Sequence, residues 1–297
     1  MAANRFLERL QEGGVLVSDG ATGTNYQFRG LALGVAPEAW IFEEPNKVTQ
    51  LHRDFIDAGA QIILTNTFGG TPLRVAHAGL PGDAAELNRR AVALAREAAG
   101  NGKVLVAGSM GPTGQLVEPL GPLTAGEAAS AFAEQARALA EAGADLLVIE
   151  TQFDLAEASA AVKGARATTT LPIVCSFSFD MGLRTMMGHK PAEVAAQLTE
   201  LGVDVIGVNC GRSLPENLEN LKLMLAATDR PIWMKPNAGL PRMGEDDRAI
   251  YDVGPEQMGE QAALWVAAGA RIIGGCCGTS PDHLREIARA AAPVRQS

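Results

Sequence analysis

The amino-acid sequence predicts an α/β fold, a (β/α)8 TIM barrel, with residues 1–297 in a single domain. Three observations predict it. Short, near-continuous aliphatic runs begin near residues 15, 61, 103, 145, 172, 204, 231 and 271, which makes eight. Segments rich in Ala, Leu, Glu and Arg separate them, at roughly 45–58, 84–99, 125–142, 154–167, 191–201, 214–227, 255–268 and 281–291. Four of the units repeat one junction, a helical stretch that ends on glycine and passes at once into an aliphatic run.

The first, third, fifth and seventh runs lie in "GVLVSDG", "KVLVAGSMG", "PIVCSFSF" and "PIWMKPNAG". The second, fourth, sixth and eighth runs carry the repeated junction: "HRDFIDAGAQIILTNTF", "ARALAEAGADLLVIET", "AAQLTELGVDVIGVNC" and "ALWVAAGARIIGGCC". Near-continuously apolar, these four read as strands buried on both faces, as in a parallel sheet. Gly59, Gly143, Gly202 and Gly269 suit the left-handed residue that closes a helix, where a Cβ would clash. Alternating strands and helices imply parallel order, and eight is the number that closes a barrel. Periodicity alone leaves a doubly wound open sheet as the alternative. Against it, the first turn, "DGATGT", lacks the dinucleotide-binding glycine pattern, and no phosphate-binding lysine loop follows any strand.

Composition agrees with a buried core and excludes several function classes. The chain is 47% apolar and 20% charged, with mean hydropathy +0.06, as expected of a globular protein. A net charge of −9 and the absence of a Lys/Arg run argue against nucleic acid as partner. No stretch is long and apolar enough to span a membrane, and the opening "MAANRFLERLQEGG" lacks the apolar segment of a secretion signal. The expectation is a cytoplasmic protein. In that reducing setting Cys175, Cys210, Cys276 and Cys277 are expected as free thiols or metal ligands. Oligomeric state is left open, a homo-oligomer included.

In a barrel of this kind the C-terminal strand ends and the loops after them build the active site. Read in order they present Asp19 in "DGATGT", Asn66 and Thr67 in "TNTFGG", then "GSMGPTG", Glu150 in "ETQFD", "SFSFD", Cys210 in "GVNCG", Asn237 in "KPNAG", and Cys276 with Cys277 in "GGCCGT". Cys210, Cys276 and Cys277 end the sixth and eighth strands, both even-numbered and so facing shared layers. Three thiolates with one open position fit a catalytic zinc site. The other reading is two buried thiols in the eighth strand, because neighbouring strand residues face opposite sides unless the pleat is broken. Gly274, Gly275 and Gly278 permit such a break. Cys175, mid-strand, reads as core. Asp19 and Glu150 end apolar strands, where a carboxylate needs a cation or several donors. A substrate ammonium would serve, or a buried arginine such as Arg184. His52, His77, His189 and His283 show no metal-site spacing and are expected in structural or solvated roles, His77 in a connection. The stretch "GTSPDHL" reads as a helix cap or as a phosphate cradle after the eighth strand.

Taken together, "DGATGT", "TNTFGG", "GSMGPTG", "ETQFD", "GVNCG", "KPNAG" and "GGCCGT" resemble the homocysteine S-methyltransferase family over nearly the whole chain. In wording they are most similar to the homocysteine-binding module of cobalamin-dependent methionine synthases. The resemblance implies Zn2+ held by Cys210, Cys276 and Cys277. It also implies that Asp19, Gly20, Thr67 and Glu150 hold the amino-acid end of homocysteine, and that Asn237 lies where an asparagine can occupy the metal's fourth position before substrate arrives. Zinc would keep the substrate thiol deprotonated at neutral pH, and the crowded thiolates would keep it nucleophilic for methyl transfer that yields methionine.

The methyl donor is open at this stage. Folate, cobalamin and reactivation modules are not expected within these 297 residues, so either a small free donor or a separate corrinoid or folate protein is implied. Positions that carry caging aromatics in betaine-using relatives correspond here to Val35 and Gly69, which argues against betaine, although Tyr26, Trp40 or Trp233 could supply rings. A different class, a phosphate-binding barrel lyase or isomerase with incidental cysteines, is the remaining alternative.

Overall fold

The computed structural model describes residues 4–100, 102–244 and 248–292. The chain begins with α1 (Arg5–Gln11), β1 (Leu16–Val17), α2 (Gly23–Phe28), a single 3-10 turn (Pro37–Ala39), α3 (Trp40–Glu43) and α4 (Pro45–Asp57). It continues through β2 (Ile62–Leu64), α5 (Pro72–Ala78), α6 (Ala84–Ala99), β3 (Leu105–Met110), α7 (Ala125–Glu141), β4 (Leu146–Gln152) and α8 (Leu155–Arg166). Then follow β5 (Ile173–Phe177), α9 (Pro191–Glu200), β6 (Val205–Cys210), α10 (Leu214–Leu225) and β7 (Ile232–Pro236). A short hairpin, β8 (Arg242–Met243) with β9 (Ala249–Ile250), precedes α11 (Pro255–Ala268), β10 (Ile272–Ile273) and α12 (Pro281–Ala291).

Eight strands pair in parallel in the order β1-β10-β7-β6-β5-β4-β3-β2. The two ends of that order meet. Ser18 bridges Ile62, the Gln61 N–H donates to the Val17 carbonyl, and the Asp19 N–H donates to the Ile62 carbonyl. The sheet is therefore a barrel rather than an open doubly wound sheet. Each of the eight expected helices is present within a residue or two. The helices α1, α2 and α5 and the β8–β9 hairpin had no periodic signal, being only two to seven residues long. His77, expected in a connection, sits in the last turn of α5. Among the described residues no helix is long and apolar enough to cross a membrane.

Alternation along the strands divides the core in two. Leu16, Leu64, Leu105, Ala107, Leu146, Val148, Val174, Val205, Trp233 and Ile272 form one buried cluster inside the barrel. Phe6 and Leu10 of α1 belong to the same cluster, so α1 closes the N-terminal end. The intervening residues, among them Val17, Ile63, Val106, Leu147, Cys175, Ile206 and Met234, face the helices in a second, larger cluster. Cys175 is thus core, as expected. Trp233 fills the barrel centre at the expense of its neighbour: a Cβ on Gly207 would stand 3.0 Å from the Trp233 carbonyl oxygen and 2.7 Å from the Ser176 Cβ.

Candidate active site

Continuing two residues along the inward face of each strand changes its chemistry. Ala107 is succeeded by Ser109, Val148 by Glu150, Val174 by Ser176, Gly207 by Asn209 and Trp233 by Lys235, and all five polar residues are buried. Ser109, Glu150 and Lys235 form the floor of a cavity of about 320 Å³ whose walls come from the loops at this end, with Gly20, Thr65 and the three cysteines 210, 276 and 277 among its lining.

Lys235 is the central cation. Its Nζ donates to Asp19 Oδ1 at 2.7 Å, and Asp19 Oδ2 accepts from the Leu64 N–H at 2.7 Å. Burial works against its charge, but Asp19 and Glu150 hold the ammonium above the ordinary lysine value. Glu150 accepts from the Ser109 hydroxyl; burial pushes its carboxyl up to about 7, against the pull of Lys235. The cation paired with Asp19 is therefore this lysine and not an arginine, since Arg184 donates instead to the Gly188 carbonyl in an exposed loop. The signal was available in "IWMK": in a strand whose Trp233 points inward, Lys235 must point inward as well.

The cysteines converge. Their Sγ atoms all lie within 4.8 Å of one another, with Cys210 and Cys276 at 3.2 Å. Ligands about 2.3 Å from a tetrahedral zinc stand roughly 3.8 Å apart, so the set fits one ion. Its protonation chemistry fits too. Hydrogen bonding to Cys276 and Cys277, with burial, holds the Cys210 thiol well above its usual range, while hydrogen bonds from Cys210 and Cys276 hold Cys277 below it. Three thiolates this close repel one another unless a cation neutralises them.

The pleat is already broken where the pair occurs, because β10 ends at Ile273. Gly275 permits the close turn that follows, since a Cβ there would stand 2.4 Å from the Thr279 side chain; Gly278 adopts φ +82°. Cys210 is itself left-handed, with φ 56°, as is Thr151 at the end of β4, with φ 60°. For residues bearing a Cβ this costs about 1–2 kcal/mol each, and both are held by Asn209, as described below.

The remaining expected residues divide by position. Gly20 lines the cavity; Asp19, Thr67 and Asn237 lie behind its lining. Thr67 is fully buried and donates to the Ser109 carbonyl at 2.7 Å. Asn237 joins the two cysteine loops, its Oδ1 accepting from the Cys277 N–H at 3.0 Å and its Nδ2 donating to the Gly211 carbonyl at 3.1 Å. Thr279 donates to the Cys276 carbonyl at 2.7 Å and accepts from the Ala21 N–H at 3.1 Å. Its hydroxyl is thus spent within the fold. Tyr26, Trp40 and Trp233 are buried, the rings of the first two tilted 39° to each other with centroids 4.8 Å apart. Among the described residues Phe68 is the one aromatic side chain lining the cavity.

A family model described as homocysteine S-methyltransferase matches residues 16–291. The chain belongs to the homocysteine S-methyltransferase family. Within this family it is 33% identical over 295 residues to a methionine synthase of Mycobacterium leprae. It is 32% identical over 299 residues to one of Mycobacterium tuberculosis. The match takes in 94% and 95% of this chain but spans only 24% and 25% of those relatives. The homocysteine methyltransferase MmuM from Escherichia coli, in its metallated form, superposes with TM-score 0.81 at 28% identity, covering 96% of this chain and 98% of that one. Its oxidized form gives TM-score 0.82 at 27% identity, over 98% and 100%. The carboxyl transferase domain of Rhizobium etli pyruvate carboxylase, at 12% identity and TM-score 0.56, shares the fold alone. Homocysteine S-methyltransferase motifs therefore occupy the one end of this barrel where cavity, cysteines and buried charges coincide.

Proposed function

We propose that this protein is a zinc-dependent S-methyltransferase that transfers a methyl group to the thiol of homocysteine, giving methionine. The observation that carries the reading is the convergence of Cys210, Cys276 and Cys277 at the wall of the cavity. When bound, zinc supplies a Lewis acid that keeps the substrate thiol deprotonated and nucleophilic at neutral pH. The chain's own residues do the rest. Glu150 takes the substrate ammonium and Lys235 its carboxylate, both lining the cavity. Asp19 holds Lys235 in place from behind the wall, and Thr67 secures the strand end that carries Ser109. Gly20 brings its backbone to the cavity wall where a Cβ would run into Phe55 and Thr279, and Asn237 keeps the Cys210 and Cys277 loops in register. Among the described residues no histidine lines the cavity, and none is needed as a base when the metal lowers the thiol's pKa.

A second reading, a homocysteine-binding subunit served by a methyl-carrying corrinoid or folate protein, is favoured by the rim. Among the described residues all the exposed large apolar side chains except Leu264 lie on connections at this end, including Phe28, Leu116, Met181, Met186, Met243 and Ile250. Apolar rims of this kind mark macromolecular contacts.

The first test is metal content. About one zinc per chain is expected, lost in Cys210→Ala, whereas full activity in metal-free protein would eliminate the zinc reading. The second is a donor panel with homocysteine. Methionine formed from a free sulfonium, betaine or methylfolate supports the free-standing enzyme; methionine formed only with a methylcobalamin protein supports the subunit.

A further inference from the structure

Asn209 is fully buried and lies between the two left-handed residues Thr151 and Cys210. Its Oδ1 accepts from the Thr151 backbone N–H at 3.0 Å and from the Ser176 hydroxyl at 2.7 Å. A backbone N–H only donates, so the orientation of the amide is settled: the opposite atom is the NH2 group. That Nδ2 donates to Thr151 Oγ1 at 2.7 Å and faces Cys210 Sγ at 3.3 Å, with Cys276 Sγ at 4.0 Å. Two protons thus have two directions, one toward the threonine oxygen and one toward sulfur. The Thr151 hydroxyl, already accepting from the amide, keeps its own proton for the side facing Cys210 Sγ, 4.0 Å away.

We infer that Asn209 is a positioning residue for Cys210: its side-chain N–H donates to the Cys210 sulfur and sets both the direction and the charge of that ligand. Ser176 and the Thr151 backbone lock the amide so that it cannot turn its oxygen toward the thiolates. The inference rests on the reading of the three cysteines as metal ligands. An N–H···S bond draws electron density from the sulfur, which makes Cys210 a weaker donor than it would be without the amide. The anionic site then accepts a fourth thiolate from substrate at lower cost, and the hydrogen bond also opposes the strain of the left-handed backbone at Cys210.

The test uses the full chain loaded with cobalt(II) in place of zinc. In Asn209→Ala the sulfur-to-cobalt charge-transfer band is expected at lower energy than in the unsubstituted protein, with metal stoichiometry unchanged. Zinc is expected to pass to a chelator about ten- to hundredfold faster. An unshifted band in a folded N209A protein overturns the inference even if metal is lost faster, because a merely structural asparagine would alter retention without altering the sulfur's electronic state. Should N209A fail to fold by circular dichroism, the unsubstituted protein loaded with NMR-active cadmium decides. A through-bond correlation between cadmium and one asparagine side-chain proton is expected, and its absence overturns the inference. No sulfur-to-cobalt band in the unsubstituted protein defeats the metal reading itself, a result distinct from a band that N209A leaves unmoved.

Discussion

Lys235 shows how much one residue decides in this molecule. Its side chain is 3% exposed and its partner Asp19 2%, so each is tolerable only with the other. Removing one member of such a pair strands a buried charge, which typically costs about 3–5 kcal/mol. Lys235→Met is expected to lose that much in urea denaturation, and Asp19→Asn in the same chain to recover part of it; equal losses in the single and double variants would refute the pairing. His52 offers a pH test. It is buried, its Nε2 has no hydrogen-bond partner among the described residues, and burial lowers its pKa from 6.5 to about 4. Between these values the unfolded chain binds a proton that the fold does not. Stability is therefore complete above about pH 6.5 and falls toward pH 4, by up to about 1.4 kcal/mol per pH unit. His52→Leu is expected to flatten that slope, and parallel stability–pH curves would count against it. The cysteines were legible in the sequence because thiols are scarce and were placed at strand ends. Lys235 is not among the residues expected at the site, although strand register marks it, because a lysine in an apolar run gains its meaning only once Asp19 is placed beside it. The amide orientation of Asn209 was not legible at all, since it depends on partners in β4 and β5.

At the scale of elements the βα units were read well, because each helix carries a long apolar stripe and four of them close on the glycine of the repeated junction. Helix α7 starts with a capping box in which the Thr124 side chain accepts from the Glu127 N–H and Glu127 reaches back to Thr124, a local device visible in "TAGE". The close packing of α7 on α8 was not visible. A Cβ on Gly164 would stand 2.3 Å from the Ala129 carbonyl oxygen and 3.0 Å from the Ala133 nitrogen, so only glycine lets the two helices approach there. Gly164→Ala is expected to destabilise by about 1–3 kcal/mol, despite alanine's better helix propensity. A neutral or stabilising result in thermal melts would mean that the helices can separate at no cost. The β8–β9 hairpin is the counterpart, two residues a side and largely exposed, too short for a period and defined only by its own pairing.

At the scale of the whole molecule, closure joins segments far apart in sequence. β1 pairs with β10 through Leu16–Ile272 and Val17–Ile273, and Gly275 N–H donates to the Asp19 carbonyl, so the first and last units are neighbours. We propose that the chain unfolds as one domain: circular dichroism and the fluorescence of Trp40, Trp233 and Trp265 are expected to give coincident urea transitions, and separated transitions would divide it. The sequence by itself determined the alternating strands and helices, the residues at the strand ends and the set of three thiols, because period, glycine placement and residue type are local properties. Only the tertiary structure decided that the sheet closes, that Asp19 pairs with Lys235, and that Asn209 points its N–H at Cys210. Those outcomes depend on which strands become neighbours and on buried charges and donors finding partners across them, and no local pattern carries that information.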